Sequence, residues 1–266
     1  MERKSDKCRP EPAMTESYRV TAVSEEGIGQ KFVDVCIEDS VTLVVNDRVI
    51  SRLAVTPLDL VPFVTGYLLC EGIISKKEEI LEISVDLPYL RVILKDDPLC
   101  PGSPETEIRS SGAPGLLTDW ESLDQPLGDG IRVKIDTIFD AMYLINRMAA
   151  TWRSTGGTHC TILLDPEGNM VSSAEDMGRH SSVDKAVGMA ILSGHDTARC
   201  FMVCTGRLPA GMIAKAYRAG ISLVVSNNAP FTTGIDLARR LNITLAGFAR
   251  PPRALIYSVP ERVIFP

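Results

Sequence analysis

Residues 200–225 read CFMVCTGRLPAGMIAKAYRAGISLVV. Two short apolar runs, Cys200–Cys204 and Ile221–Val225, flank a segment with apolar residues at helical spacing. Short apolar runs bounded by Gly and Pro suit buried strands. Pro209 suits a helix start, and Gly220 suits its close. The stretch therefore reads strand, helix, strand. Towards the C-terminus, Gly234–Leu241 reads as a helix, Thr244–Phe248 as a strand and Leu255–Tyr257 as a last strand. Towards the N-terminus, Ile135, Ile138, Met142, Ile145 and Met148 form the stripe of an amphipathic helix. His159–Leu164 is a strand, Asp165-Pro166-Glu167-Gly168 a turn and Met170–Ser172 its return. Val183–Leu192 is a helix ending near Gly194. Helices alternating with short apolar strands imply a layered α/β sheet.

The first half reads differently. Residues 1–17 have the look of a flexible tail. Lys31–Leu53 alternates and is rich in Val and Ile, a hairpin turned at Asn46-Asp47. Pro57–Cys70 carries a helical stripe of Leu58, Val61, Val64, Leu68 and Leu69; Pro62 fits it only near the first turn. Leu90–Leu94 is a strand. From Asp96 to Gly130, proline, glycine and serine mark a loop. The expected organisation is a tail (1–17), a small α+β domain (18–107), a loop (108–130) and an α/β domain (131–266).

With 266 residues, 45% hydrophobic and 23% charged, the chain can bury a core. A net charge of −6 argues against nucleic-acid coating. No apolar run approaches the ~18–20 residues of a membrane span. Met1–Pro12 lacks the apolar segment of a secretory signal, so the cytoplasm is expected. Residues 1–130 carry 13 Lys/Arg against 24 Asp/Glu, and residues 131–266 carry 15 against 10. The basic second half points towards an anionic ligand. The seven cysteines include no CxxC pair, so neither a disulfide framework nor a structural zinc site is expected. Cys36, Cys70, Cys200 and Cys204 read as small core residues.

Open sheets bind ligands beyond the carboxyl ends of their strands. Three turns fall there: Thr205-Gly206-Arg207, Ser226–Pro230 with Asn227, and Phe248-Ala249-Arg250-Pro251-Pro252-Arg253. Small residues expose backbone N–H groups, and Arg grips phosphate in a bidentate fork. A second cluster is Thr155-Gly156-Gly157-Thr158-His159-Cys160. Neighbours on a strand face opposite ways, so one of His159 and Cys160 faces the core, and Cys160 reads as the buried one. A third is Glu175-Asp176-Met177-Gly178-Arg179-His180, with Ser181 or Ser182 as the expected cap and Asp184-Lys185 in the first turn of the helix. Charge runs usually mark solvated, self-paired helix starts. Two histidine-bearing clusters flanking one hairpin favour a site instead.

These motifs, together with Ala229-Pro230, Gly247-Phe248-Ala249-Arg250 and Gly66-Tyr67-Leu68-Leu69, resemble those of the FdhD/NarQ family of formate dehydrogenase accessory proteins. The likeness spans about residues 31–260. It implies a cytidine-deaminase-like three-layer α/β/α sandwich with a smaller N-terminal α+β domain. It also implies a sulfur carrier that takes sulfur from a cysteine desulfurase. The sulfur goes to Mo-bis(molybdopterin guanine dinucleotide) before that cargo enters formate dehydrogenase; guanine nucleotide is a surrogate ligand and a homodimer is expected. By the same likeness Phe248 to Arg253 contact the cofactor, Arg207 its phosphates, and Thr155, Gly156 and Gly157 shape the pocket. His159, Asp176, Arg179, His180, Asp184 and Lys185 orient the ligand or support the loop. The family's persulfide CxxC falls at Gly112-Ala113-Pro114-Gly115, where both cysteines are absent. Cys100 and Cys160 are the weak substitutes. Loss of the thiol would leave a cofactor-binding chaperone. A zinc hydrolase is a poor fit, because no PCxxC exists.

Overall fold

The computed structural model describes residues 13–96, 106–107, 115–116 and 120–265, with backbone alone at 106–107, 115–116 and 121. Strands β1 (Thr15–Ser24) and β2 (Gly27–Cys36) form a hairpin. β3 (Asp39–Val45), β4 (Arg48–Val55), helix α1 (Leu60–Cys70), β5 (Ile80–Asp86) and β6 (Tyr89–Leu94) follow. Next come the short pair β7 (Thr106–Glu107) and β8 (Gly115–Leu116), then β9 (Val133–Lys134), α2 (Ile135–Met148) and α3 (Ala150–Thr155). The rest is β10 (His159–Leu164), β11 (Met170–Asp176), α4 (Arg179–Leu192), β12 (Phe201–Cys204), α5 (Ala210–Arg218) and β13 (Leu223–Ser226). It closes with α6 (Thr232–Arg240), β14 (Thr244–Arg250), β15 (Arg253–Ser258) and β16 (Val263–Ile264).

A six-stranded sheet runs in the order β11-β10-β12-β13-β14-β15. β12, β13 and β14 are parallel; the other neighbours pair antiparallel. On one face α2 sets Ile138, Met142 and Ile145 against Ile162, Phe201, Val203 and Val225. On the other, Val183, Val187, Ile213 and Leu237 from α4, α5 and α6 meet Leu163, Met202, Val224 and Leu245. That second cluster continues without a break through α1 to Val41, Leu43, Leu90 and Val92 of a four-stranded sheet, β4-β3-β6-β5.

Glycine sets the α1–α4 crossing. A Cβ on Gly66 would lie 1.8 Å from the carbonyl oxygen of Asp184, and one on Gly188 would lie 1.9 Å from that of Pro62. The two backbones touch with no side-chain layer between them, which only glycine permits. Pro62 is the third residue of α1, where an N–H would lack an intrahelical acceptor anyway, so it costs little. Asn46 and Asp47 turn the β3–β4 hairpin with φ of 45° and 64°, the left-handed pair that a tight hairpin needs.

Several expectations need correction. Thr15–Ser17 belongs to β1 rather than to a tail, the expected hairpin turned at Asn46-Asp47 is β3–β4 with Lys31–Cys36 in β2 instead, and ahead of it lies a β1–β2 hairpin that was not expected. Its periodicity is weak because neither face is buried: Val23, Ile28 and Phe32 are 74%, 79% and 71% exposed. β5 escaped notice for the same reason; most of its residues are exposed. β11 extends to Asp176 and α4 begins at Arg179, so the charged motif is a strand end and helix start, not a solvated turn. Gly178, not Ser181 or Ser182, is the N-cap, without a side-chain bond. Ser182 Oγ instead lies 2.8 Å from Thr161 Oγ1, joining α4 to β10. Asp184 and Lys185 fall beyond the first turn and are buried. As expected, the turn around Phe248–Arg253 leads into another strand, and β14 and β15 pair as a hairpin.

Candidate functional site

Because β12, β13 and β14 are parallel, their carboxyl ends share one edge. β10 runs the other way, with Thr161 opposite Cys204, so its amino end joins that edge. His159, Thr205-Gly206-Arg207, Ser226-Asn227-Asn228 and Phe248-Ala249-Arg250 therefore line it together. Crossed hydrogen bonds brace the turns. Thr205 N donates to Cys160 O at 3.0 Å, and Cys160 N donates to Thr205 Oγ1 at 3.0 Å. Ser226 Oγ donates to Gly206 O at 2.6 Å, and Asn228 Nδ2 donates to Thr205 O at 2.8 Å. Phe248 N closes the set on Asn228 O at 3.1 Å. The sequence pointed to Asn227; the bracing falls largely to Asn228.

On this frame stand exposed donors. Arg207, Phe248, Arg250 and Arg253 are exposed, Asn227 and Pro251 partly so, and Ala249 is buried. Arg250 and Arg253 face one another across the hairpin, and no acceptor among the described residues engages either guanidinium. The β14–β15 register shifts between Gly247 and Arg250, and Phe248 has a φ of 48°. Such a bulge re-aims side chains at a sheet rim. Arg207 lies over the ring of Phe231, 5.6 Å from its centroid. Phe231, at the start of α6, was not singled out from the sequence; an aromatic beside an Asn-Asn-Ala-Pro turn was its only signal.

His159 Nδ1 is 3.2 Å from Thr205 Oγ1. Burial, then the charge of Arg179, holds the imidazole below its ordinary pKa, so it is neutral at pH 7. Arg179 also packs against Gly206: a Cβ there would lie 2.7 Å from Arg179 Cβ, so the turn rests on the arginine stem. Thr155-Gly156-Gly157 closes α3. Glu175 supports that loop, accepting from the backbone of Thr151 and Trp152 at 2.9 Å each and from Thr158 Oγ1 at 2.8 Å.

The rest of the charged motif turns inward. Asp176 Oδ2 accepts from Lys185 Nζ at 2.7 Å, from Thr56 N at 3.0 Å and from Thr56 Oγ1 at 2.8 Å. Lys215 Nζ donates to Asp184 Oδ1 and Glu71 Oε1, both at 2.6 Å, and sits 5.4 Å from the Tyr67 ring centroid. All five charged groups are buried, and His180 is buried near Gly211. Asp176, Asp184 and Lys185 thus tie α4 to α5 and to the N-terminal layer. They support the edge and offer nothing to a ligand.

Cys160 joins the α2-side core at 1% exposure, and burial followed by Glu175 pushes its thiol up to about 12. Cys70, Cys200 and Cys204 are buried too. Cys36, expected in the core, is half-buried at the end of β2. It lines a cleft of ≈ 530 Å³ with Thr155, Gly157 and Met177, and is the one thiol among the described residues that is not buried. Burial, then Asp176 and Glu175, raises its pKa. Cys8, Cys100 and Gly112-Ala113-Pro114 lie outside the described residues; Gly115 is in β8. Among the described residues no cluster of His, Cys, Asp or Glu could hold a metal ion, and no helix is long and apolar enough to cross a membrane.

The sequence model of the FdhD/NarQ family matches residues 36–264. The chain belongs to the FdhD/NarQ family. Within that family it is 34% identical to the sulfur carrier protein FdhD of Methanothermobacter thermautotrophicus, over 83% of this chain and 87% of that one. It is 26% identical to the namesake from Halalkalibacterium halodurans, over 95% and 97%. A crystal structure from Desulfotalea psychrophila, described as a formate dehydrogenase accessory protein, superposes with a TM-score of 0.79 at 28% identity. That match covers 95% of this chain and all of the other.

Proposed function

We propose that this chain is a sulfur carrier serving a formate dehydrogenase, and that its cargo is the Mo-bis(molybdopterin guanine dinucleotide) group. The observation that carries the reading is the unengaged pair Arg250 and Arg253, beside Arg207, on the carboxyl edge of the parallel strands. A guanine dinucleotide offers phosphates to such forks, and an exposed Phe248 offers its base a ring to stack on. Membership of a family with relatives named as sulfur carriers supports the same role. The succession α2/α3, β10–β11 hairpin and α4 supports reading the large sheet as cytidine-deaminase-like. A cytoplasmic desulfurase is the donor of this scheme. A carrier thiolate attacks the terminal sulfur of the donor's persulfide, a new S–S bond forms, and the donor leaves as a thiolate.

Among the described thiols only Cys36 is not buried, and a Cys160 thiol near 12 stays protonated; Cys8 and Cys100 lie outside the described residues. A second reading, a cofactor-binding chaperone without a persulfide, is favoured by the absent CxxC at Gly112–Gly115. The test is incubation with a cysteine desulfurase and radiolabelled cysteine, followed by mapping of sulfane sulfur by mass spectrometry. Label on one cysteine, lost on its change to Ala, supports the carrier. No label with guanine nucleotide still bound supports the chaperone. Neither label nor nucleotide binding sinks both.

A further inference from the structure

A broad groove lies away from the donor edge, between the start of β1, the β2–β3 link, the start of α1 and the β5–β6 turn. It encloses ≈ 880 Å³. Ile37, Leu58, Leu60, Val61, Val85 and Leu87 give it an apolar floor. Among the described residues, Glu16, Asp39 and Asp59 are the only charged ones that line it, and no Lys, Arg or His does. Val61 and Val85 are 39% and 41% exposed, an apolar surface left open to solvent. Asp59 precedes α1 in a left-handed conformation, φ 56°, yet makes no side-chain cap bond, so its carboxylate is not spent on the helix. Asp39 Oδ1 accepts from Ser40 N and Glu16 Oε2 from Tyr18, leaving each carboxylate an oxygen with no donor among the described residues.

We infer that this groove docks an apolar protein segment flanked by Lys or Arg. Apolar burial supplies the affinity of such a contact, and the carboxylates choose the sign of the partner and speed its arrival. Three like charges around an apolar floor repel one another until a cation arrives, so a cationic partner relieves what a neutral or acidic one would worsen. The inference stands apart from the sulfur-carrier reading, because the groove shares no residue with the donor edge.

The test uses the full chain and three labelled peptides of equal length: alternating leucine and lysine, the same with glutamate for lysine, and the same with alanine for leucine. Fluorescence anisotropy should show the leucine–lysine peptide binding at least about tenfold tighter than either other. Val61→Gln should weaken it, and Asp39→Asn with Asp59→Asn should weaken it about fivefold. Glu167→Gln with Asp236→Asn, which removes two exposed acids elsewhere, should leave it unchanged. An equal loss in that control pair would mean general acidity and would overturn the inference. So would indifference to Val61→Gln. Dissociation of a dimer by Val61→Gln, with no peptide bound to the parent, would assign the groove to a second copy. Binding that appears only when Arg3, Lys4, Lys7 and Arg9 are changed to Gln would assign it to the chain's own residues 1–12.

Discussion

The interior face of α4 and the carboxyl edge of the large sheet are both dense in charge, and they use it in opposite ways. Inside, Asp176, Asp184, Lys185, Lys215 and Glu71 are buried and paired with one another. At the edge, Arg250 and Arg253 are exposed and engaged by no described acceptor. Buried charge is tolerated only when paired, so the interior set works as a fixed joint. Exposed cations cost nothing to leave unpaired in water, so the edge keeps its capacity for a ligand. Density of charged residues along the sequence does not separate the two; desolvation does.

The largest effect should come from breaking the joint. Lys215→Ala leaves Glu71 and Asp184 buried without their cation, and should cost about 4 kcal/mol of unfolding free energy in urea titration. An effect near zero would mean that water reaches the triad, and the contrast would fail. Gly188→Ala drives a methyl into the Pro62 carbonyl and should cost about 3 kcal/mol by the same measurement. At the edge, Arg250→Ala with Arg253→Ala should leave stability within about 0.5 kcal/mol. It should weaken guanine-nucleotide binding about 100-fold by calorimetry. Unchanged nucleotide affinity would remove the edge from the site.

The smallest effect is electrostatic. His159 has its folded pKa below the ordinary histidine value of 6.5. Above that value both states hold it neutral and it contributes nothing. As pH falls below it, the unfolded chain takes a proton that the folded chain refuses, so stability drops until the folded pKa is passed. The urea midpoint should therefore decline between about pH 7.5 and about pH 5.5, and His159→Gln should flatten part of that decline. An unaltered slope would mean that the imidazole is free to charge in the fold.

Much of the second half was legible in the sequence. Cys200–Cys204, Pro209–Ala219 and His159–Leu164 each matched an element to within a residue or two, because strand runs, helical stripes and Gly or Pro punctuation are local signals. The opposite facing of His159 and Cys160 followed from strand geometry alone and held: Cys160 packs on the α2 side and His159 meets Thr205. β1, β2 and β5 were missed or shortened because a strand without a buried face leaves no alternation to read. α3 was missed because its start is held by Glu175, from a strand that comes later in the chain.

The sequence by itself determined the order of helices and strands from β10 to β15, the hairpin turn at Asn46-Asp47 and the placing of Thr205-Gly206-Arg207 after a strand. These depend on backbone preference and apolar spacing within a few residues. Only the tertiary structure decided which charges would be buried. Asp176 meets Thr56 from 120 residues away, and Lys215 meets Glu71 from 144 away. Solvation energy depends on what surrounds a charge, and those neighbours are set by the fold rather than by adjacent residues.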